Sequence, residues 1–88
     1  MIRQQITILN KLGLHTRAAA KLVDTAKKFA SQVELTYRDR TVDCKSIMGV
    51  ITIGAQKDNV LDIVIQGKDE KEALEAIVKL VNDKFGEE

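Results

Sequence analysis

Apolar positions follow two rhythms along the chain. From 2 to 9 they alternate with polar ones: Ile2, Ile6 and Ile8 share one face, Gln5 and Thr7 the other, which predicts a strand. Asn10-Lys11-Leu12-Gly13 breaks the rhythm and reads as a loop. From Thr16 to Ala30 the spacing becomes helical. Ala19, Leu22, Val23, Ala26, Phe29 and Ala30 recur at three- and four-residue steps, so they should share a buried face. Lys21, Asp24, Lys27 and Lys28 fall mostly elsewhere. Alternation returns over 32–38 with Val33, Leu35 and Tyr37 inward, and Arg38-Asp39 should turn the chain into a partner strand, 40–44, carrying Val42 and Cys44.

The run Ile47–Ile53 has no decisive period. Ser46 before it suits an N-cap and Gly54 after it suits a C-terminal stop, so a short helix is predicted. Residues 60–66 read as a strand with Leu61, Ile63 and Ile65 on one side. Asp69-x-x-Glu72 resembles a capping box opening a helix to about Phe85, with a stripe of Leu74, Ile77, Val78, Val81 and Phe85 and a stop at Gly86. The order β-α-β-β-α-β-α predicts an α+β fold: a four-stranded antiparallel sheet, three helices on one face, and the other face toward water.

Eighty-eight residues make a single domain, 1–88, with no linker or repeat. Fourteen basic residues against thirteen acidic ones leave a formal charge of +1, too little excess for a phosphate-backbone binder. Aromatics are 3% of the chain with no tryptophan, so a base-stacking platform is out of reach. These features and the lack of a GXXG clamp weigh against a small RNA-binding module. One cysteine, Cys44, excludes an internal disulfide, and with one histidine it cannot fill a zinc site without several carboxylates. No metal or organic cofactor is expected. Apolar runs are too short to span a membrane and Met1–Gln5 lacks a signal-peptide pattern, so a soluble cytoplasmic protein is expected.

Chemistry must therefore come from few groups. His15 follows Gly13-Leu14 where a loop hands over to a helix, with Arg17 two residues on. A helix start presents unpaired N–H groups and partial positive charge, which attract an anion and disfavour a cationic imidazole. A neutral imidazole has a free lone pair and can act as a nucleophile. Arg17 adds a planar donor fork suited to phosphate oxygens. On these grounds alone, a plain solvent-facing histidine is an equal alternative. No G-x-S-x-G elbow is present, so a serine hydrolase is not indicated.

Gly13-Leu14-His15-Thr16-Arg17 and Lys45-Ser46-Ile47-Met48-Gly49-Val50, at this spacing and within this strand order, resemble the histidine-containing phosphocarrier family, HPr, of the bacterial phosphoenolpyruvate-dependent phosphotransferase system. The resemblance spans Ile2 to Phe85. It implies an open-faced β-sandwich. It implies that His15 takes a phosphoryl group on Nδ1 from phosphorylated enzyme I and passes it to the A domains of sugar permeases. The chain would be a covalent carrier without turnover of its own. Arg17 would balance the phosphoryl charge, and the N–H groups of Thr16 and Arg17 would cap it. The family's usual run is His-Ala-Arg-Pro, whereas here it is His15-Thr16-Arg17-Ala18. Losing the proline frees the backbone of Arg17 and restores an N–H at Ala18. That leaves open a regulatory, nitrogen-branch-like paralogue acting through its phosphorylation state.

Ser46 has a structural role as N-cap. By the same resemblance it is a regulatory phosphorylation site for an HPr kinase/phosphorylase, where added negative charge would disturb docking. Ile47, Met48, Val50, Ile51 and Ile53 are too many for one narrow stripe, so some are expected at the surface. In the family this patch lies beside the histidine and receives enzyme I and the permease domains. Ile47, Met48 and Ile51, extended by Ala20, Asp24 and Lys27 on the first helix, form the expected partner surface of a monomer. Cys44 is expected to be inert, and Gly86-Glu87-Glu88 to be frayed.

Overall fold

Strand alternation sets the sheet and helical spacing covers it. The computed structural model describes residues 1–87. Its elements are β1 (Ile2–Thr7), α1 (Thr16–Lys27), β2 (Gln32–Tyr37), β3 (Arg40–Asp43), α2 (Ile47–Ile53), β4 (Val60–Gln66) and α3 (Glu70–Asn82), followed by a 3-10 turn at Lys84–Gly86. The four strands pair antiparallel in the order β1-β4-β2-β3. Register places Ile6 opposite Leu61, Val33 opposite Ile65 and Leu35 opposite Ile63. All six are buried, so one sheet face is apolar across the adjacent strands β1, β4 and β2. Gln5, Glu34 and Thr41 stand exposed on the opposite face. There the Thr36 and Thr41 hydroxyls meet at 2.9 Å across the β2–β3 pair. This is the open face that the alternation predicts.

The helices fill the core over the apolar face. Leu22, Val23 and Ala26 of α1, Val50 and Ile53 of α2, and Ala73, Ile77 and Val81 of α3 are buried together. Each fully buried aliphatic side chain of this size contributes about 1.5–3 kcal/mol. The ends of α2 are as the sequence predicts. Ser46 Oγ accepts the Gly49 N–H at 3.1 Å, and Gly54 closes the helix with φ 67°, a left-handed conformation that glycine adopts without a Cβ clash.

Expectations about the ends of the elements need correction. First, α1 ends at Lys27 and Ala30 is exposed. The Asp69 carboxylate takes the Ala30 and Ser31 N–H groups at 2.8 and 2.9 Å, drawing the chain out of helical register. Second, Asp69 therefore makes no side-chain cap on α3, and no capping box forms with Glu72. Glu70 Oε1 instead accepts the Gly67 N–H at 3.1 Å. Third, α3 ends at Asn82, and Phe85 enters the core from the 3-10 turn, where it and Lys84 both have φ 55°. Fourth, β1 ends at Thr7, although the Ile8 N–H still reaches the Asn59 carbonyl at 3.0 Å. The second and third strands each end one residue early, at Tyr37 and Asp43, and Cys44 still donates its N–H to the Val33 carbonyl at 2.8 Å.

The Asp69 contact carries a pH signature. The Ser31 hydroxyl, then the Ala30 amide, hold its carboxyl below the ordinary 3.8. A folded value below the unfolded one adds stability above pH 3.8, which is lost as pH falls through the folded value. Asp69→Ala is therefore expected to melt below the parent at neutral pH, with the gap narrowing as the solution is acidified below 3.8. Parallel melting curves at several pH values check this; a gap independent of pH would remove the carboxylate from the account.

Candidate functional site

The loop before α1 is pinned from two sides. Gly13 has φ +69°, and a Cβ there would lie 2.6 Å from the Ala55 carbonyl oxygen and 2.8 Å from Gln56 Cα. Only glycine permits so close an approach, and the Leu14 N–H then reaches the Ala55 carbonyl at 2.9 Å. Asn10, fully buried, donates from Nδ2 to the Gly13 carbonyl at 2.8 Å. Leu14 drops into the core. The next residue, His15, must then stand at the surface where α1 begins.

His15 is the N-cap residue, extended at φ −74° and ψ 178°, with no side-chain bond to the helix. Its carbonyl takes the Ala19 N–H at 2.8 Å, so the helix starts without help from the imidazole. The N–H groups of Thr16 and Arg17 occupy the first turn, where no intrahelical acceptor exists. No acidic residue lies in that turn. His15, Thr16, Arg17 and Ala20 line an open cleft of about 770 Å³ together with Lys11, Leu12 and Glu87. Its charged groups are mostly cationic, so the cleft favours an anion. Ala18, in the place of the family's proline, is buried within an intact first turn.

Glu87 is the residue that sequence reasoning missed. Expected to be frayed, it lies folded back over the site. Its Oε2 is 2.6 Å from His15 Nε2, and its Oε1 accepts from Asn10 Nδ2 at 3.0 Å. The Asn10 bond chiefly, and the His15 bond and nearby Lys21 charge besides, hold its carboxyl below the ordinary carboxylate value, against an opposing effect of desolvation. Gly86 is placed as well, its N–H bonded to the Asp83 carbonyl at 3.0 Å, while Glu88 lies outside the described residues. Leu12 was also missed as a site residue. It is 70% exposed beside the imidazole, and a lone leucine in a loop gives no periodic signal.

The expected partner surface divides by exposure. Met48 is 66% and Ile47 39% exposed, whereas Ile51 is half-buried against the core, because α2 turns Val50 and Ile53 inward beside it. Ala20 is half-buried at the cleft, and Asp24 and Lys27 are exposed farther along α1. Cys44 is fully buried, its thiol pushed up to about 12 by burial and then by Asp43, so it is unreactive. Among the described residues, no cluster of His, Cys, Asp and Glu is placed to hold a metal, and no helix is long and apolar enough to cross a membrane.

An imidazole beside an anion-favouring cleft at the mouth of a helix, carried on a four-stranded open sheet, defines a small α+β protein with a site suited to an anion. Comparison makes the class specific. Residues 2–83 match the family model described as the PTS HPr component phosphorylation site. The phosphocarrier protein HPr of Neisseria meningitidis serogroup A is 46% identical over 87 residues, 99% of this chain and 98% of that one. Its counterpart from Cupriavidus necator is 45% identical over the same shares. HPr-C-His from Thermoanaerobacter tengcongensis has a TM-score of 0.96 at 45% identity, covering 100% of this chain and 99% of that one. A structure of an HPr dimer from the same organism has a TM-score of 0.80 over 99% of this chain and 100% of that one. The chain belongs to the HPr family of phosphocarrier proteins of the phosphotransferase system.

Proposed function

We propose that the chain, 1–88, acts as one cytoplasmic phosphocarrier unit and that His15 is its phosphoryl acceptor. Nδ1 takes the group from phosphorylated enzyme I and delivers it to the A domains of sugar permeases. The observation that carries this reading is the commitment of the imidazole: Nε2 is engaged at 2.6 Å, while the ring makes no cap to α1, so Nδ1 is left for chemistry. The Thr16 and Arg17 amides receive the phosphoryl oxygens, and the Arg17 guanidinium balances their charge. The carrier works as a monomer that docks through the neighbourhood of Ala20, Asp24, Lys27, Ile47, Met48 and Ile51. Exposed Ile47 and Met48 give that surface an adaptable apolar centre suited to brief contacts with several partners.

The test is incubation with phosphoenolpyruvate and enzyme I, followed by intact mass and fragment mapping. One acid-labile phosphate on the peptide holding His15 is expected; an acid-stable phosphate, or one elsewhere, overturns the reading. Chasing the label into a sugar permease domain tests the branch, and transfer to regulatory A domains alone would replace sugar uptake with a regulatory role. In the same assay Arg17→Ala should accept phosphate about tenfold more slowly, the loss of one charged hydrogen-bonding partner, without a change in melting. Unchanged kinetics would remove Arg17 from the site.

Ser46 is the regulatory position in this reading, modified by an HPr kinase/phosphorylase. It starts α2 beside Ile47 and Met48, so phosphate there adds charge to the docking face while the helix N-terminus tolerates it. Ser46→Asp should keep the parental melting temperature and slow acceptance from enzyme I; equal rates would exclude the role.

A further inference from the structure

The end of the chain is built to hold one carboxylate against the imidazole. Three separate features fix it there. Phe85 is fully buried, although the backbone at Lys84 and Phe85 is left-handed at φ 55°, a conformation that L side chains disfavour. Lys21 Nζ on α1 donates to the Phe85 carbonyl at 2.6 Å. Asn10, fully buried, donates to Glu87 Oε1 at 3.0 Å and leaves Oε2 facing His15 Nε2 at 2.6 Å. Packing and two side-chain donors over-determine this arrangement.

We propose that Glu87 is a positioning residue for phosphoryl transfer: it accepts the His15 Nε2–H, leaves Nδ1 as the nucleophile, and balances the charge the ring gains on phosphorylation. This rests on His15 being the acceptor. The reacting form of the ring is the neutral one with its proton on Nε2 and a lone pair on Nδ1. As Nδ1 forms its bond to phosphorus, the bond between phosphorus and the donor atom breaks and its electron pair stays with the donor. Both ring nitrogens are then substituted and the ring carries one positive charge, facing the Glu87 carboxylate. In delivery the phosphorus–Nδ1 bond breaks, its electron pair returns to Nδ1, and the ring is neutral again. The Nε2 proton stays in place throughout. Lys11 and Arg17 line the cleft and Lys21 lies near Glu87; these cations suit the phosphoryl oxygens but oppose a charged ring, so an adjacent carboxylate is needed to offset them.

The experiment uses the full chain with Glu87→Ala and Glu87→Gln. Proton NMR of the unphosphorylated protein reads the hydrogen-bonded Nε2–H, and quenched-flow with phosphorylated enzyme I reads the acceptance rate. The parent should show a downfield Nε2–H resonance protected from exchange. Glu87→Ala should lose it; Glu87→Gln, which keeps a carbonyl acceptor, should retain it. Both variants should accept phosphate about tenfold more slowly, equivalent to about 1.4 kcal/mol of barrier. Parental rates in both variants would overturn the role of Glu87 while leaving His15 as acceptor. A slow Glu87→Ala with a fully active Glu87→Gln would overturn charge balance. A parent that takes no phosphate on His15 would overturn both this role and the proposed function beneath it.

Discussion

His15→Ala should leave a folded protein that takes no phosphate from enzyme I. The loss should be about a thousandfold or more, because the variant removes the nucleophile itself rather than a group that assists it. Stability should change little, for reasons visible in the local structure. Helices usually lose about 1 kcal/mol when an N-cap side chain is truncated, but this imidazole caps nothing. The backbone at ψ 178° is open to alanine, and the Ala19 N–H still finds the residue-15 carbonyl. What disappears is the bond to Glu87, between side chains 28% and 17% exposed, and partly exposed pairs of this kind contribute roughly 0–1 kcal/mol. The melting temperature should therefore stay within about 8 °C of the parent. Intact mass at neutral pH reads the first expectation and a thermal scan the second. A phosphorylated His15→Ala protein would move the acceptor elsewhere; an unfolded one would make the imidazole a structural residue.

Local signals were legible in the sequence, and contacts made by distant residues were not. Ser46 and Gly54 bracket α2 because capping depends on residues three or four apart. The buried faces of the strands read correctly, though not all their ends, because alternation decides which face meets the core, and Ile6, Val33, Leu35, Leu61, Ile63 and Ile65 all obey it. His15 stood out as the only histidine, placed at a loop-to-helix junction. Asp69 was misread for the opposite reason. Its local pattern suggests a cap for α3, but its carboxylate satisfies two amides at the end of α1, 38 and 39 residues away. A cap saves one orphan N–H; this position satisfies two and a hydroxyl, so the distant partners win. Glu87 lies 72 residues from His15, and nothing in Gly86-Glu87 foretells that the chain doubles back. A clue was present in Phe85. An aromatic residue at the end of a charged helix must be buried somewhere, and burying it fixes where the next two residues go.

That anchoring makes Phe85→Ala the variant with the largest expected effect on stability. Phe85 is fully enclosed, in contact with the core shared by α1, α3 and the sheet. Truncating such a side chain costs about 3–5 kcal/mol through lost burial and the cavity left behind. A domain of this size has roughly 4–13 kcal/mol of stability in total, so a large part of it is at stake. At about 4–8 °C per kcal/mol, the melting temperature should fall by roughly 15 °C or more. The consequence for the site follows from the backbone. Left-handed conformations at Lys84 and Phe85 are held against their own cost by the buried ring and by Lys21 on the Phe85 carbonyl. Without the ring, the segment relaxes and Glu87 leaves His15. Relaxation also lets the cavity partly close, which places the loss toward the lower end of the range. Phe85→Ala, assayed well below its melting point, should therefore reproduce the Nε2–H exchange and slowed acceptance of Glu87→Ala. Phe85→Leu should recover most of both, because a smaller apolar side chain still anchors the turn. A melting shift under about 5 °C, or a protected Nε2–H in Phe85→Ala, would show that the carboxylate reaches the imidazole without this anchor.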